Sequence, residues 1–388
     1  MYPRLSDLIN DLFGTHIQLP VMSYGFFVAI AFLIGAWLLY LELKRKGEEG
    51  VFKPEIKRVV EGKPATPGEL VVNFLISSLI GFKLYAVFTD YSHFASDPQN
   101  FLFSGKGSIW WGVVLGIIYT SWFWYDKNRK RLRPPEEREI VIQPESHTWS
   151  IVIVAAVFGI IGSKIFDQLE NWDRFVNDPI GSLFSFSGLT FYGGLIVGGI
   201  AVVWYSEKHK IPWRHLGDSL APSLIISYGI GRIGCQVAGD GDWGIVNTLN
   251  KPGWLSWLPD WLWSYNYPHN IINEGVPIPG CTGDHCMQLA QGVFPTPIYE
   301  TVMALIIFAF LWSIRKKIKI PGTLFAIYLI LNGIERFFIE LIRVNNTYDI
   351  FGYHVTQAEI ISTLLVFTGV GLLLFLRNRY GKKVYNKS

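Results

Sequence analysis

Long apolar runs alternate with short polar stretches along almost the whole chain. A membrane span needs about 20 mostly apolar residues, because the lipid core is about 30 Å thick. Nine segments meet or approach that length: 21–41, 70–88, 108–125, 148–166, 191–207, 216–236, 298–314, 322–342 and 356–376. They are continuous runs, not the alternating segments of a barrel, so each predicts a helix that pairs its own backbone groups in hydrocarbon. The pattern therefore predicts an all-α, polytopic transmembrane helical bundle of about nine spans. Basic clusters (LELKRKGEEG with KPEIKRVVEGK, DKNRKRLRPPEERE, SEKHKIPWRH, RKKIK and RNRYGKKVYNKS) follow the first, third, fifth, seventh and ninth runs. The other connections are neutral or acidic. Basic loops stay cytoplasmic, which predicts the N-terminus outside and the C-terminus cytoplasmic. Residues 238–296 then form a large extracytoplasmic loop or lid. Its Trp254, Trp257, Trp261 and Trp263 suit the headgroup level, either as an anchor or as the rim of a lateral entrance.

The pattern also repeats at an offset of 81 residues. Without a gap, Gly81, Lys83, Phe94, Asp97, Pro98, Leu102, Phe103, Ser104, Gly107 and Gly112 match Gly162, Lys164, Phe175, Asp178, Pro179, Leu183, Phe184, Ser185, Gly188 and Gly193. This predicts a single membrane domain over 1–388 containing internal duplicated units, 70–125 and 151–207. Both copies run outward and then inward, unlike the inverted repeats of many transporters. Gly194 and Gly198 suit close helix packing, and the repeated Lys83 and Lys164 suit a structural role.

Composition agrees with the membrane class: of 388 residues, 50% are hydrophobic and 17% charged. A net charge of +3 is too small and dispersed to imply nucleic acid. The opening residues show no cleavable signal peptide. Three cysteines exclude a disulfide scaffold. Cys281 and Cys286 flank TGDH and are suited to a local bridge in an oxidising space, or with His285 to zinc.

Ionisable groups inside the apolar runs are the strongest chemical signal, since such groups face the bundle interior and have a partner or ligand. Arg232 ends one run in GIGRIGCQVAGDGDWG, followed by Asp240 and Asp242. NGIERFFIELIRVN carries Glu335, Arg336, Glu340 and Arg343, with Arg336, Glu340 and Arg343 on neighbouring turns of one face. Two readings stand side by side. In one, Arg336 and Glu340 pair to lock the bundle. In the other, Arg232 and Arg336 grip the phosphate of an anionic phospholipid, which a guanidinium matches with two prongs. Tyr24, Tyr192, Tyr299 and Glu300 lie at the same predicted level.

Several of these motifs resemble the prolipoprotein diacylglyceryl transferase family. GRIGCQVAGDGDWG is similar to the family signature in which GR-x-G-N leads into an acid and a glycine, and Arg232 falls on its arginine. SFSGLTFYGGLIVGG resembles the phenylalanine-histidine-glycine-glycine stretch, placing Tyr192, Gly193 and Gly194. FPTPIYE resembles the histidine-proline-serine-x-x-tyrosine-glutamate segment, placing Tyr299 and Glu300. NGIERFFIELIRVN resembles the late helix, with Arg336 on its essential arginine, and SYGFFVAIAFLIG resembles the early helix, with Tyr24 as the match. The resemblance covers about 150–388 and the first span, and 70–125 reads as an insertion made by the duplication.

The resemblance implies an enzyme of the bacterial cytoplasmic membrane that needs no cofactor beyond its lipid substrate. It implies transfer of diacylglyceryl from phosphatidylglycerol to the cysteine thiol of a preprolipoprotein lipobox, with release of glycerol phosphate. The arginines hold phosphate and developing charge, and a histidine helps deprotonate the thiol. Here the family histidine is Tyr192, the signature asparagine is Cys235, a second polar position is Ala238, and the histidine of the later proline motif is Phe294. Asp240 and Asp242 are rival matches for the signature acid. The catalytic candidates are Arg232, Arg336, Tyr192, Asp240 and Asp242. The substrate-binding candidates are Tyr24, Gly193, Gly194, Tyr299, Glu300, Glu340 and Arg343. No metal site is expected. The alternative is a non-catalytic anionic-lipid-binding or assembly protein on the same scaffold.

Overall fold

The structure is a computed structural model that describes residues 1–388 except 53–54, 92–93, 95–100, 102–103, 133, 185–189, 345–346, 351–352 and 386–388. The repeat positions Asp97, Pro98, Leu102, Phe103, Ser185 and Gly188 therefore lie outside the described residues. The chain divides into two compact units, one of Met1–Pro3, Ser23–Glu55 and Gln143–Ser388, the other of Arg4–Met22 and Ile56–Ile142.

The smaller unit contains α1 (Leu5–Phe13), and after α2 of the larger unit (Ser23–Glu48) the chain supplies it with α3 (Pro67–Thr89) and α4 (Ile109–Arg129). Strands β1 (Glu55–Glu61) and β2 (Glu136–Ile142) pair beside them. A capping box starts α3: Thr66 Oγ1 accepts from the Glu69 N–H at 3.3 Å, and Glu69 accepts from the Thr66 N–H at 2.9 Å. Helices α3 and α4 meet on glycines. A Cβ on Gly81 would lie 2.8 Å from the Trp111 carbonyl, and one on Gly112 would lie 2.7 Å from the Ser78 carbonyl.

The larger unit continues with α5 (Thr148–Glu170), the short α6 (Trp172–Asn177) and α7 (Pro179–Phe184), α8 (Phe191–Lys208), α9 (Trp213–Ala238), α10 (Thr296–Ile314), α11 (Thr323–Glu340) and α12 (Gln357–Tyr385). Helices α5 and α8 close on each other as α3 and α4 do: a Cβ on Gly193 would stand 2.5 Å from the Gly162 carbonyl. The lysine interaction also recurs at the same spacing. Lys83 Nζ donates to the Phe101 carbonyl at 3.0 Å, and Lys164 Nζ donates to the Ser182 carbonyl at 3.4 Å. In both cases a lysine on the first helix of a pair donates to a backbone carbonyl in the segment before the second helix begins.

Helix α9 is the centre of the larger unit. Towards α2, α5 and α8, Leu216 joins a core of Leu39, Leu43, Ile151 and Val202. Towards α10 and α11, Ala221 and Ile225 join Ala304, Leu311 and Leu324. Ser227 Oγ donates to the Ala31 carbonyl of α2 at 2.9 Å, and Thr301 Oγ1 of α10 donates to the Gly229 carbonyl at 3.2 Å. At one end of the helices, Asp218 accepts from the backbone N–H of Gly322 at 2.7 Å and of Phe325 at 3.0 Å, satisfying donors that open α11. At the same end Glu42 of α2 bonds Arg315 Nε, just beyond α10, at 2.8 Å, and the Arg315 guanidinium lies 3.4 Å from the Trp312 ring centroid.

Among the described residues, five helices are long and apolar enough to cross a membrane: α2, α3, α10, the stretch Pro144–Glu170 containing α5, and Gln357–Tyr380 of α12. The remaining four apolar runs are also helical, as α4, α8, α9 and α11, but are shorter or more polar. The polarity of α9 has a physical reason: protein rather than lipid surrounds it, so it can carry Asp218 and Arg232 against partners. The chain is thus an all-α, multi-spanning membrane bundle, to which the described residues add three small two-stranded sheets, the first joining strands on either side of α3 and α4. The sheets lie in stretches that the hydropathy pattern leaves as loops.

Residues 238–296 carry a core of their own, Trp243, Tyr267, Leu289 and Val293, and a Cys281–Cys286 disulfide. The bridge uses both sulfurs that zinc would need. Tyr267 donates to Gln236 of α9 at 2.7 Å, and Tyr299 of α10 donates to the Leu262 carbonyl at 2.7 Å. These bonds fix the segment to the ends of two central helices.

The helix contacts predict unequal responses to adding one methyl group. Gly193→Ala should lower the unfolding free energy of purified protein in detergent by about 2 kcal/mol, through overpacking against backbone. Gly199→Ala, where a Cβ meets nothing within 4 Å, should leave thermal unfolding unchanged or raised. Equal melting of the two variants would contradict the packing assigned to Gly193.

Candidate functional site

The turn after α9 explains the GDGD sequence. Gly239 ends the helix at φ +66° with its N–H on the Cys235 carbonyl at 2.9 Å, and Gly241 adopts φ +95°. Both conformations are left-handed and favour glycine. The double reversal brings Asp242 back over Arg232, ten residues earlier. Gly244 then lies against the segment after α11: its N–H donates to the Phe294 carbonyl at 2.8 Å, and a Cβ there would stand 2.5 Å from the Ile342 carbonyl. The Ile245 N–H donates to that same Ile342 carbonyl at 2.8 Å. The signature loop is thereby stitched to the end of α11, and Asp242 meets Arg343 there.

Three guanidiniums from two parts of the chain gather on one carboxylate. Glu300, in the first turns of α10, is wholly buried. Arg232 Nε lies 2.6 Å from Glu300 Oε2, Arg336 Nη1 lies 3.7 Å from that same oxygen, and Arg343 Nη1 lies 3.8 Å from Oε1. Tyr228, one turn before Arg232, donates a short hydrogen bond to Glu300 Oε2. Asp242 forms the second bridge, with one oxygen on Arg232 and the other on Arg343. Arg336 also approaches Glu340 at 3.8 Å. Both of its ion pairs exceed hydrogen-bond length, and its side chain is the most exposed of the three arginines, 22% against 13% and 8%. Its N–H donors are therefore the most accessible to an incoming acceptor, while Nε and Nη1 of Arg343, without a hydrogen-bond partner among the described residues, are buried. Helix α11 ends at Glu340, so Arg343 acts from the turn beyond the helix and not from its face.

The other candidates distribute around this cluster. Tyr192, half-buried at the start of α8, lies within electrostatic reach of Arg336, Glu340 and Arg343. Tyr24 of α2 lies within reach of Cys235, Asp240, Asp242 and Arg232. Gly193 and Gly194 face α5, where a Cβ on Gly194 would stand 2.9 Å from the Gly159 carbonyl. They position Tyr192 by close packing. Tyr299 donates its hydroxyl to the Leu262 carbonyl. Two residues outside the candidate set belong to the cluster: Tyr228, and Glu335 on α11. Tyr228 was legible as the residue one helical turn before Arg232. Glu335 is a carboxylate inside an apolar run.

Asp240 and Asp242 play different parts. Burial pushes the Asp240 carboxyl up, and the neighbouring Asp242 charge adds to the effect. At Asp242 burial acts upward too, but the Arg232 and Arg343 charges outweigh it and hold the carboxyl below its usual value. Donor atoms of Cys235, Asp240 and Asp242 lie within 4.8 Å of one another, yet both Asp242 oxygens already face guanidiniums. This arrangement suits a fixed ionic bridge better than a cation.

A family model described as prolipoprotein diacylglyceryl transferase matches residues 12–136 and 136–375. The chain belongs to that family. A phosphatidylglycerol–prolipoprotein diacylglyceryl transferase of Staphylococcus haemolyticus is 24% identical over 296 residues, covering 75% of this chain and 92% of its own. Its namesake in Staphylococcus aureus is 26% identical over 293 residues, covering 75% and 93%. That of Corynebacterium glutamicum is 28% identical over 271 residues, covering 68% and 77%. Family membership gives the arginine cluster an enzymatic context of transferase type in a multi-pass bacterial membrane protein.

The two aspartates predict opposite pH signatures. Asp242, held low in the fold, stabilises above the ordinary carboxylate range, and that stability is lost as pH falls through its folded value. Asp242→Asn should cost about 2 kcal/mol near neutral pH, a value reduced from a fully buried pair because the side chain is partly exposed. Asp240 has its affinity for protons raised, so its ionisation weakens the fold as pH rises. Asp240→Asn should hold or raise the melting temperature near neutral pH, with the gain vanishing in acid. Melting curves of both variants across pH check the signs, and matching profiles would contradict the assignment.

Proposed function

We propose that the chain transfers a diacylglyceryl group from phosphatidylglycerol to the thiol of a lipobox cysteine in a preprolipoprotein, releasing glycerol phosphate. The observation that carries this reading is the convergence of Arg232 and Arg336, from α9 and α11, on the one carboxylate of Glu300. Two guanidiniums at that separation can share a single phosphate, and Arg336 has N–H donors to offer it. The thiol sulfur attacks the glyceryl carbon that bears the phosphate ester oxygen. The new carbon–sulfur bond forms as the carbon–oxygen bond breaks, and the electron pair leaves with glycerol phosphate. Arg232 and Arg336 face the charge that grows on that leaving group.

Tyr192 stands where the family resemblance implies histidine. A tyrosine has an ordinary pKa near 10 and is a poor base near neutrality. In this reading the guanidinium field favours the thiolate directly, Tyr192 orders the acceptor from α8, and Tyr24 and the Asp240–Asp242 turn bound the other side. The thiol proton leaves on the glycerol phosphate, whose second ionisation lies near neutral pH, as in other phosphate monoesters.

We further read nine spans, with the N-terminus and residues 238–296 outside and the C-terminus cytoplasmic, in the bacterial cytoplasmic membrane. The alternating basic loops support that orientation, as does a disulfide within 238–296, since such bonds persist in oxidising compartments. Units 70–125 and 151–207 read as copies of one helix pair.

Two experiments test this reading. Purified protein given labelled phosphatidylglycerol and a lipobox peptide should form thioether product, and Arg232→Ala or Arg336→Ala should each reduce it by roughly a hundredfold or more. Product from both variants at the wild-type rate would remove the phosphate site. Lipid binding that depends on both arginines, with no product from any thiol, would instead identify a binding protein. For orientation, a membrane-impermeant maleimide should label Cys281 and Cys286 in intact cells only after reduction. Labelling that requires cell lysis would reverse the topology.

A further inference from the structure

The arginines proposed to hold a phosphate already hold Glu300, and a neighbouring group shows how they can be released. Glu335 is 4% exposed, and neither of its carboxylate oxygens has a hydrogen-bond partner of good geometry among the described residues. Ionised and unpaired in an apolar interior, a carboxylate carries a penalty of several kcal/mol. The polar group that adjoins it is the Tyr228 hydroxyl, whose single proton is directed to Glu300. Tyr228 therefore has only lone pairs to present to Glu335. The two oxygens can bond only if Glu335 brings the proton. The charged or titratable groups facing Glu335 are Tyr228 and Arg232 on α9, Glu300 on α10, and Tyr328 and Arg336 on α11.

We infer that Glu335 stores a proton that passes through Tyr228 to Glu300 when an anionic phospholipid headgroup enters, freeing the arginines to bind its phosphate. This rests on the phosphate-binding reading above and adds its coupling. The Glu335 proton moves to the Tyr228 oxygen as the Tyr228 proton moves to Glu300 Oε2. One O–H bond breaks and one forms at each step, with no change in proton count or oxidation state. Glu300 becomes a neutral acid and loses its attraction for Arg232, Arg336 and Arg343. The headgroup phosphate replaces the negative charge they lose. Glu335, now a carboxylate, accepts from the Tyr228 hydroxyl and keeps Arg232 and Arg336 as neighbouring charges. Departure of the anion reverses the shift. Without it, a phosphate would have to compete for guanidiniums against a buried carboxylate in direct contact with them.

The test uses the full chain in nanodiscs, with phosphatidylglycerol binding as the readout. Glu335→Gln keeps the shape but has no acidic proton, and Tyr228→Phe breaks the path. Each should weaken binding by about tenfold, the order of one charge-assisted hydrogen bond. In a Glu300→Gln background the arginines are already free, so adding Glu335→Gln should change nothing. Infrared difference spectra should show a carboxylic-acid band in resting protein that Glu335→Gln removes, and a different one after lipid addition that Glu300→Gln removes. Glu335→Asp, which keeps an acidic proton, should recover part of the affinity. Wild-type affinity in Glu335→Gln, an equal loss in the Glu300→Gln background, or no resting acid band would overturn the proton shift while leaving the phosphate site intact. A wild-type chain that binds no phosphatidylglycerol would overturn both.

Discussion

The larger unit is organised around a buried charge problem. Glu300 sits in an apolar environment with no exposure of its own, where an isolated carboxylate would be prohibitively costly. Arg232, Arg336, Arg343 and Tyr228 solve that problem together, and in doing so they bring α9, α10 and α11 to one point. Asp242 extends the arrangement to the loop beyond α9. Removing a charged member leaves the others with uncompensated charge, and removing Tyr228 leaves Glu300 short of a hydrogen bond, so the cluster is a coupled network. The same property makes it a poised anion site. In the function proposed above, a ligand phosphate would exchange with a carboxylate already in place instead of meeting free guanidiniums.

Glycine supplies the geometry that charge alone cannot. The left-handed turns at Gly239 and Gly241 reverse the chain within a few residues, and Gly244 lets the loop backbone touch the carbonyl of Ile342. Arg343, just past the end of α11, then reaches Asp242. A side chain at Gly244 would push those two segments apart. The signature stretch is thus both the source of an arginine and the clamp that holds its partner.

Much of this was legible in the sequence. Each apolar run is a helix, the element that pairs its own backbone groups without help from water. Arg232, Arg336, Glu300, Glu340 and Arg343 stood out as ionisable residues in or beside those runs, and they do converge. The sheets were hidden because charged ribbons such as Glu55–Glu61 carry no apolar face to mark them. The bond of the Tyr299 hydroxyl to the Leu262 carbonyl could not be read from the sequence, because an interfacial tyrosine has the same sequence appearance whether it faces a ligand or a loop. The glycine packing expected of this helix is seen at the α5–α8 crossing, where Gly193 and Gly194 lie against backbone carbonyls. Glu335 and Tyr228 were left out of the candidate set because their contact with Glu300 and the arginines depends on three helices converging, which the sequence does not display.

The far end of the bundle bears on how anything enters. There Glu42 staples α2 to Arg315 after α10, and Asp218 of α9 caps the start of α11. These links share no atoms with the arginine cluster. If Glu300 gives way to a ligand as proposed, the helices would loosen at one end while the other stays fastened, and the movement open to them would be a splaying about a hinge. A small angular change at the hinge becomes a gap several ångströms wide at the mouth, which is the form of opening that suits a molecule arriving sideways with its tails still in the membrane.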